Sequence, residues 1–158
     1  MSAESRTVLL CYDGSPQSQH AAEVAGALFP GAQAHVLHIW EPIERIVARY
    51  AVLAPFMGEE LGEADASVAD ESSKLAAAGV AIANAAGLQA TPLTTQLQTT
   101  VWEAVLDVAD TIDAAVIITG TRSLHGLREM IANTLSHALI QHSPRPVLAI
   151  PTPVDSSG

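Results

Sequence analysis

Short apolar runs alternate with longer amphipathic stretches along the chain, and each run ends at residues that interrupt regular structure. Thr7-Val8-Leu9-Leu10-Cys11-Tyr12 is a continuous apolar segment stopped by Asp13-Gly14, the pattern of a strand covered on both faces. Ser15 and Pro16 then read as the N-cap and first residue of a helix. Its core face would carry Ala21, Val24, Ala25, Leu28 and Phe29 at helical spacing, with Pro30-Gly31 ending it. Ala34 to Trp40 is a second strand, left at Glu41-Pro42 because the residue before proline avoids helical geometry. From about Glu60 the spacing predicts a long helix with Val68, Leu75, Ala78, Ile82 and Ala86 facing the core and Gly87 as its stop. Thr91 to Gln98 is a Thr-rich third strand, followed by a helical stripe of Val101, Trp102, Val105, Leu106 and Ala109. Ala114 to Thr119 is a fourth strand, Asn133 to His142 a helix, and Pro146 to Ile150 a fifth strand.

Strands separated by helices need crossover connections, so the expected fold is α/β: a three-layer sandwich around a five-stranded parallel sheet. The chain reads as one domain over residues 6–151, between short tails at 1–5 and 152–158. Ligands in such sheets lie beyond the carboxyl ends of the strands, where the strand order reverses. With the first and fourth strands as central neighbours, Asp13 and the Thr119-Gly120 loop would face one crevice.

Charge narrows the partners. Seventeen acidic residues against seven basic ones give a formal net charge of −10, which disfavours nucleic acid and anionic membrane surfaces. The longest uncharged stretch, Leu75 to Trp102, contains Asn84, Gln89, Pro92 and several threonines, too polar for a membrane span. A single cysteine, Cys11, permits no internal disulfide, and the first residues lack the basic-then-apolar layout of a signal peptide, so a cytoplasmic protein is expected.

Metal chemistry finds little support. His35 and His38 are three apart on a strand and project to opposite faces. His125, His137 and His142 have no carboxylate or cysteine cluster beside them, and Asp65, Asp70 and Glu71 lack the spacing of a calcium loop. No metal site is expected.

Asp13-Gly14-Ser15 after the first strand, Leu37-His38-Ile39 in the second, Thr119-Gly120 after the fourth, and the closing Ser143-Pro144-Arg145-Pro146-Val147-Leu148 together resemble the universal stress protein family, over Thr7 to Pro151. The resemblance implies a Rossmann-like fold of the adenine nucleotide alpha hydrolase type with strand order 3-2-1-4-5. It also implies a homodimer formed through the last strand, here Val147, Leu148, Ala149 and Ile150. One subclass binds ATP on a loop Gly-x2-Gly-x9-Gly-Ser/Thr; the other lacks that loop. This chain reads Gly120, two residues, Ser123, nine residues, Asn133, Thr134. The first glycine and the final hydroxyl match, but side chains replace the second and third glycines, where a bare backbone would let phosphate approach.

The resemblance implies a nucleotide site, for ATP or AMP with Mg, built from Cys11, Asp13, Ile39, Thr119, Gly120, Arg122, Ser123, Gly126, Asn133, Thr134, Leu135 and Ser136. Asp13 would hold the adenosine part, although an Asx-turn would explain the same residue. Cys11 and Ile39 would line the base pocket, and Thr134, Leu135 and Ser136 would offer helix-start N–H groups to phosphate. Asn133 would cap that helix. Arg122, ahead of Arg128, would neutralise phosphate charge. The function expected is a non-enzymatic, dimeric stress-response regulator with a weak nucleotide site and an unidentified protein partner. The alternatives are a nucleotide-independent dimer and a slow ATPase. Ile43 to Gly58, apolar and bounded by prolines, would be an ordinary short helix and turn; a lid or a partner surface are its other readings.

Overall fold

Helices cover both faces of Val8–Cys11 (β1), which is why its sequence reads as an uninterrupted apolar run. In the computed structural model, which describes residues 6–49, 61–121 and 134–152, β1 lies between Gln33–Trp40 (β2) and Val116–Thr121 (β4). Gln89–Gln96 (β3) pairs beyond β2, and Val147–Pro151 (β5) beyond β4. Every pairing is parallel, and the order is β3-β2-β1-β4-β5, as the resemblance implied.

Pro16–Leu28 (α1) and Leu61–Ala85 (α3) pack on one face, against Val8, Leu10, Tyr12, Val36 and Ile118. Val101–Thr111 (α4) and Leu135–His142 (α5) pack on the other, against Leu9, Cys11, Leu37 and Ile117. Odd and even positions of the central strands thus serve separate cores. Ile43–Arg49 (α2) is a short helix with Val47 buried, so the part of the Ile43 to Gly58 segment that is described is the ordinary helix expected of it; residues 50–60 lie outside the described residues.

The helix faces differ from the apolar stripes that the sequence predicts. On α1 the buried residues are Ser18, Ala21, Ala22, Ala25 and Gly26, and Leu28, placed in the core by its spacing, is 55% exposed at the helix end. On α3 the buried line is Ser72, Ala76, Gly79 and Ala83, while Ala78 is exposed. The cause is close approach. Tyr12 and Val36 crowd the α3 backbone at Gly79, so small residues take the closest contacts with the sheet, while Leu75 and Ile82, expected to face the core, are partly buried against it.

Strand boundaries move as well. β3 runs from Gln89 to Gln96 rather than Thr91 to Gln98, because all its residues pair with β2, from Gln33↔Gln89 to Trp40↔Gln96. β4 continues through Thr121, so Thr119 and Gly120 belong to the strand, paired with Ala149 and Ile150, and not to a loop. β5 runs from Val147 to Pro151, and the Pro146 carbonyl accepts from the Ile117 N–H. α5 starts at Leu135 with Thr134 as its N-cap in place of Asn133; the Thr134 hydroxyl accepts from the His137 N–H.

Candidate functional site

β1 ends before its neighbours do. Its last pair with β2 is Cys11↔Leu37, and the Tyr12 N–H still reaches the Leu37 carbonyl at 2.9 Å. β2 then runs on to Trp40 and β4 to Thr121, while the chain after Tyr12 turns away into α1. The gap left between β2 and β4 above Cys11 is the topological switch point of the sheet, and it holds a cavity of about 660 Å³.

The departure turn is built by Asp13. Its carboxylate accepts the Ser15 N–H at 2.9 Å, Gly14 takes a positive φ of 80°, and the Ser18 hydroxyl faces the Asp13 N–H at 3.4 Å. Asp13 is therefore an Asx-turn residue and a cavity-lining residue at once. Burial pushes its carboxyl pKa up, but hydrogen bonds from Ser15, side chain and backbone, from Ser18 and from its own N–H outweigh this and hold it below the ordinary range. Asp13 is thus an ionised acceptor near neutral pH.

The cavity has two chemically distinct halves. Cys11, Leu37, Ile39, Val101, Val105 and Leu135 form an apolar half between the strand ends and α4. Burial, with a smaller contribution from the Asp13 charge, pushes the Cys11 thiol up to about 12, so it is a neutral wall and not a nucleophile. The polar lining includes Asp13, Ser15, Gln17, Ser18 and His38. The His38 Nδ1 stands 2.9 Å from the Tyr12 carbonyl oxygen, at the point where β1 leaves the sheet.

Thr119, Thr121, Thr134 and Ser136 complete the polar rim. Thr119 is almost fully buried and donates to the Gly120 carbonyl at 3.2 Å, and the Thr134 and Ser136 hydroxyls lie 3.2 Å apart. Thr134, Leu135 and Ser136 bring the first turn of α5, the positive end of its dipole, to the cavity. Gly120 has no room for a side chain, because a Cβ would lie 2.5 Å from the Gln17 carbonyl oxygen.

Of the residues singled out from sequence, Cys11, Asp13, Ile39, Thr119, Gly120, Thr134, Leu135 and Ser136 meet at this one cavity. Arg122, Ser123, Gly126 and Asn133 lie outside the described residues, as does Arg128. Tyr12, Gln17, Ser18, His38 and Thr121 were not foreseen as site residues. Their signal was adjacency: a helix capped immediately after Asp13-Gly14 has to border whatever the end of β1 borders. The closing Ser143 to Pro146 motif is structural. Arg145 donates to the Ala114 carbonyl at 2.6 Å and pairs with Asp110 and Asp113, each at 3.1 Å, tying the end of α4 to the start of β5.

Asp13 is the single carboxylate among the described lining residues. No group of three His, Cys, Asp or Glu side chains among the described residues could hold a metal ion, and none of the described helices is long and apolar enough to cross a membrane.

Residues 4–151 match the model of the universal stress protein family. A universal stress protein of Thermus aquaticus, from the 3′ region of a QAH/OAS sulfhydrylase, is 30% identical over 151 residues, covering 92% of this chain and 98% of its own. Among solved structures, a protein of the same family from Burkholderia pseudomallei superposes with a TM-score of 0.66 at 19% identity, covering 96% of this chain and all of its own. A family protein from Arabidopsis thaliana with AMP bound superposes with a TM-score of 0.64 at 12% identity, covering 97% of this chain and 95% of its own.

Proposed function

This chain belongs to the universal stress protein family, and on that premise we propose that the cavity above β1 is a weak adenine-nucleotide site, for AMP or ATP, through which a non-enzymatic homodimer regulates a protein partner in the cytoplasm. The observation that carries the reading is the division of the cavity. Its apolar half suits a flat base, Asp13 suits ribose hydroxyls, and the first turn of α5 suits phosphate oxygens. The volume of about 660 Å³ lies within the roughly 300–1,000 Å³ of small-molecule sites. The AMP-bound Arabidopsis relative supports the ligand class.

The non-enzymatic reading is supported by what surrounds the cavity. Phosphoryl transfer to water needs a positioned nucleophile and a clamp of cations on the phosphates. Asp13, just beyond the end of β1, has its carboxylate engaged by the Ser15 N–H. Ser123 and Asn133, in place of loop glycines, favour weak rather than tight binding.

The dimer reading rests on the contrast between the two sheet edges. β3 carries Pro92, which has no N–H to offer a further strand and blunts that edge. β5 reads Val147-Leu148-Ala149-Ile150, an apolar run, and pairs on one side only, with β4. A dimer of the 16.4 kDa chain is expected by light scattering, and Ala149→Lys should shift it toward monomer.

Isothermal titration calorimetry with Mg-ATP, AMP and cyclic AMP tests the site. Saturable binding that Asp13→Ala weakens at least tenfold is the expected result. A folded protein that binds none of the three would leave the nucleotide-independent dimer as the function, and Mg-dependent phosphate release with ATP would make the protein a slow ATPase.

A further inference from the structure

We infer that Arg45 is a positioning residue for this cavity: by gathering the carbonyl oxygens of Leu97, Gln98 and Thr99 on one guanidinium it fixes where α4 begins, and with it the Val101 wall offered to the base of a nucleotide. The inference rests on the nucleotide reading above and adds to it a residue that stands outside the cavity's described lining.

The contact begins where the sheet ends. β2 and β3 pair last at Trp40↔Gln96, and the Leu97 N–H still reaches the Trp40 carbonyl at 2.8 Å. Beyond it the chain bends at Gln98 and Thr99. Arg45 Nη1 donates to the Leu97 carbonyl at 3.0 Å and also to that of Gln98, while Nη2 donates to the Thr99 carbonyl at 3.4 Å. Successive carbonyls of an extended strand point to opposite sides, so three in a row meet one group only where the chain curls around it. A planar fork of donors suits such a set; a lysine ammonium is a single point charge.

The guanidinium reaches out from a platform that does not depend on it. The Ile43 N–H donates to the Asp65 carboxylate of α3 at 2.7 Å, and Val47 is buried, so α2 is docked independently. On the far side the clamped segment runs straight into a helix start. Thr100 caps α4 in a reciprocal box with Glu103, whose carboxylate accepts the Thr100 N–H at 3.1 Å. Val101, the first residue of α4, and Val105, one turn later, both belong to the apolar half of the cavity. Val105 is fully buried and held by the core, whereas Val101 is 41% exposed. The clamp therefore sets the start of the helix, which core packing leaves least constrained.

Amide exchange and calorimetry with AMP test this together. Arg45 is exposed, so Arg45→Met should fold. Exchange across residues 97–104, read by mass spectrometry, should speed up about fivefold in that variant and stay unchanged in α1. AMP should bind about fivefold more weakly, the worth of one hydrogen bond passed on to the wall, and Arg45→Lys should fall between. A general loss of stability would weaken binding in any background, but a clamp acting through Val101 should matter little once that wall is gone. In a Val101→Ala background, Arg45→Met should therefore cost less than about twofold more. Unchanged exchange at 97–104, unchanged AMP affinity in Arg45→Met, or the same loss in both backgrounds would overturn the inference and leave the nucleotide site standing. Absence of AMP binding by wild type would overturn the proposed function and this inference with it. Should thermal melts show that Arg45→Met does not fold, Arg45→Lys carries the same comparison in both backgrounds.

Discussion

A Cβ on Gly120 would stand 2.5 Å from the carbonyl oxygen of Gln17, so the first turn of α1 rests directly on the end of β4. The obstacle is backbone, which cannot rotate aside as a side chain would. Gly120→Ala must therefore push α1 off the sheet at the cavity rim. The expected cost is about 1–3 kcal/mol of stability by urea unfolding, accompanied by weaker AMP binding. A variant as stable as wild type would show that this contact is not tight.

A second glycine runs against helix propensity. Gly79 lies in the interior of α3, where alanine would ordinarily gain about 1 kcal/mol. Its Cβ would meet Val36 at 2.7 Å and the Tyr12 ring at 2.8 Å, both in the packed core. Overpacking of that kind costs more than the propensity returns, so Gly79→Ala should be destabilised by about 1 kcal/mol net. Ala78→Gly, one residue away on the exposed face, should lose a similar amount by propensity alone. Stabilisation by Gly79→Ala would contradict the packing.

Asp13 links stability to acid. Its folded pKa lies below the ordinary carboxylate value, so its contribution is complete above the unfolded pKa and is lost as pH falls through the folded one. Wild type should therefore lose stability below about pH 4 more steeply than Asp13→Asn, which has no titrating carboxyl at the turn. Urea midpoints between pH 6 and pH 3 read the difference, and parallel curves would remove Asp13 from the account.

The order of elements was legible in the sequence because the central strands β1 and β4 are continuous apolar runs and several turns carry Asp-Gly, Pro-Gly or a proline exit. Helix orientation was legible in part. Spacing placed Ala21, Ala25, Leu75, Ile82, Val105 and Ala109 toward the core, where they are, but it also put Leu28 and Ala78 inward; which residues make the closest approach is a property of the assembled layers. The cavity was half legible. Asp13, Thr119, Gly120 and Thr134 follow from strand ends and the family pattern, yet His38 and Gln17 enter only because β1 stops short of its neighbours, a matter of register that no local pattern records.

Cys11 supplies a test that separates burial from charge. A thiol held at about 12 is almost wholly protonated at pH 8, and this one is 8% exposed, so iodoacetamide should label it no faster than the protein opens. Burial is the larger cause and the Asp13 charge the smaller. Asp13→Asn should for that reason leave the folded protein nearly as resistant to alkylation as wild type, while unfolding in urea should restore the rate of an ordinary thiol. Rapid labelling of folded Asp13→Asn, measured by intact mass, would reverse that order and make the carboxylate the main guard of the thiol.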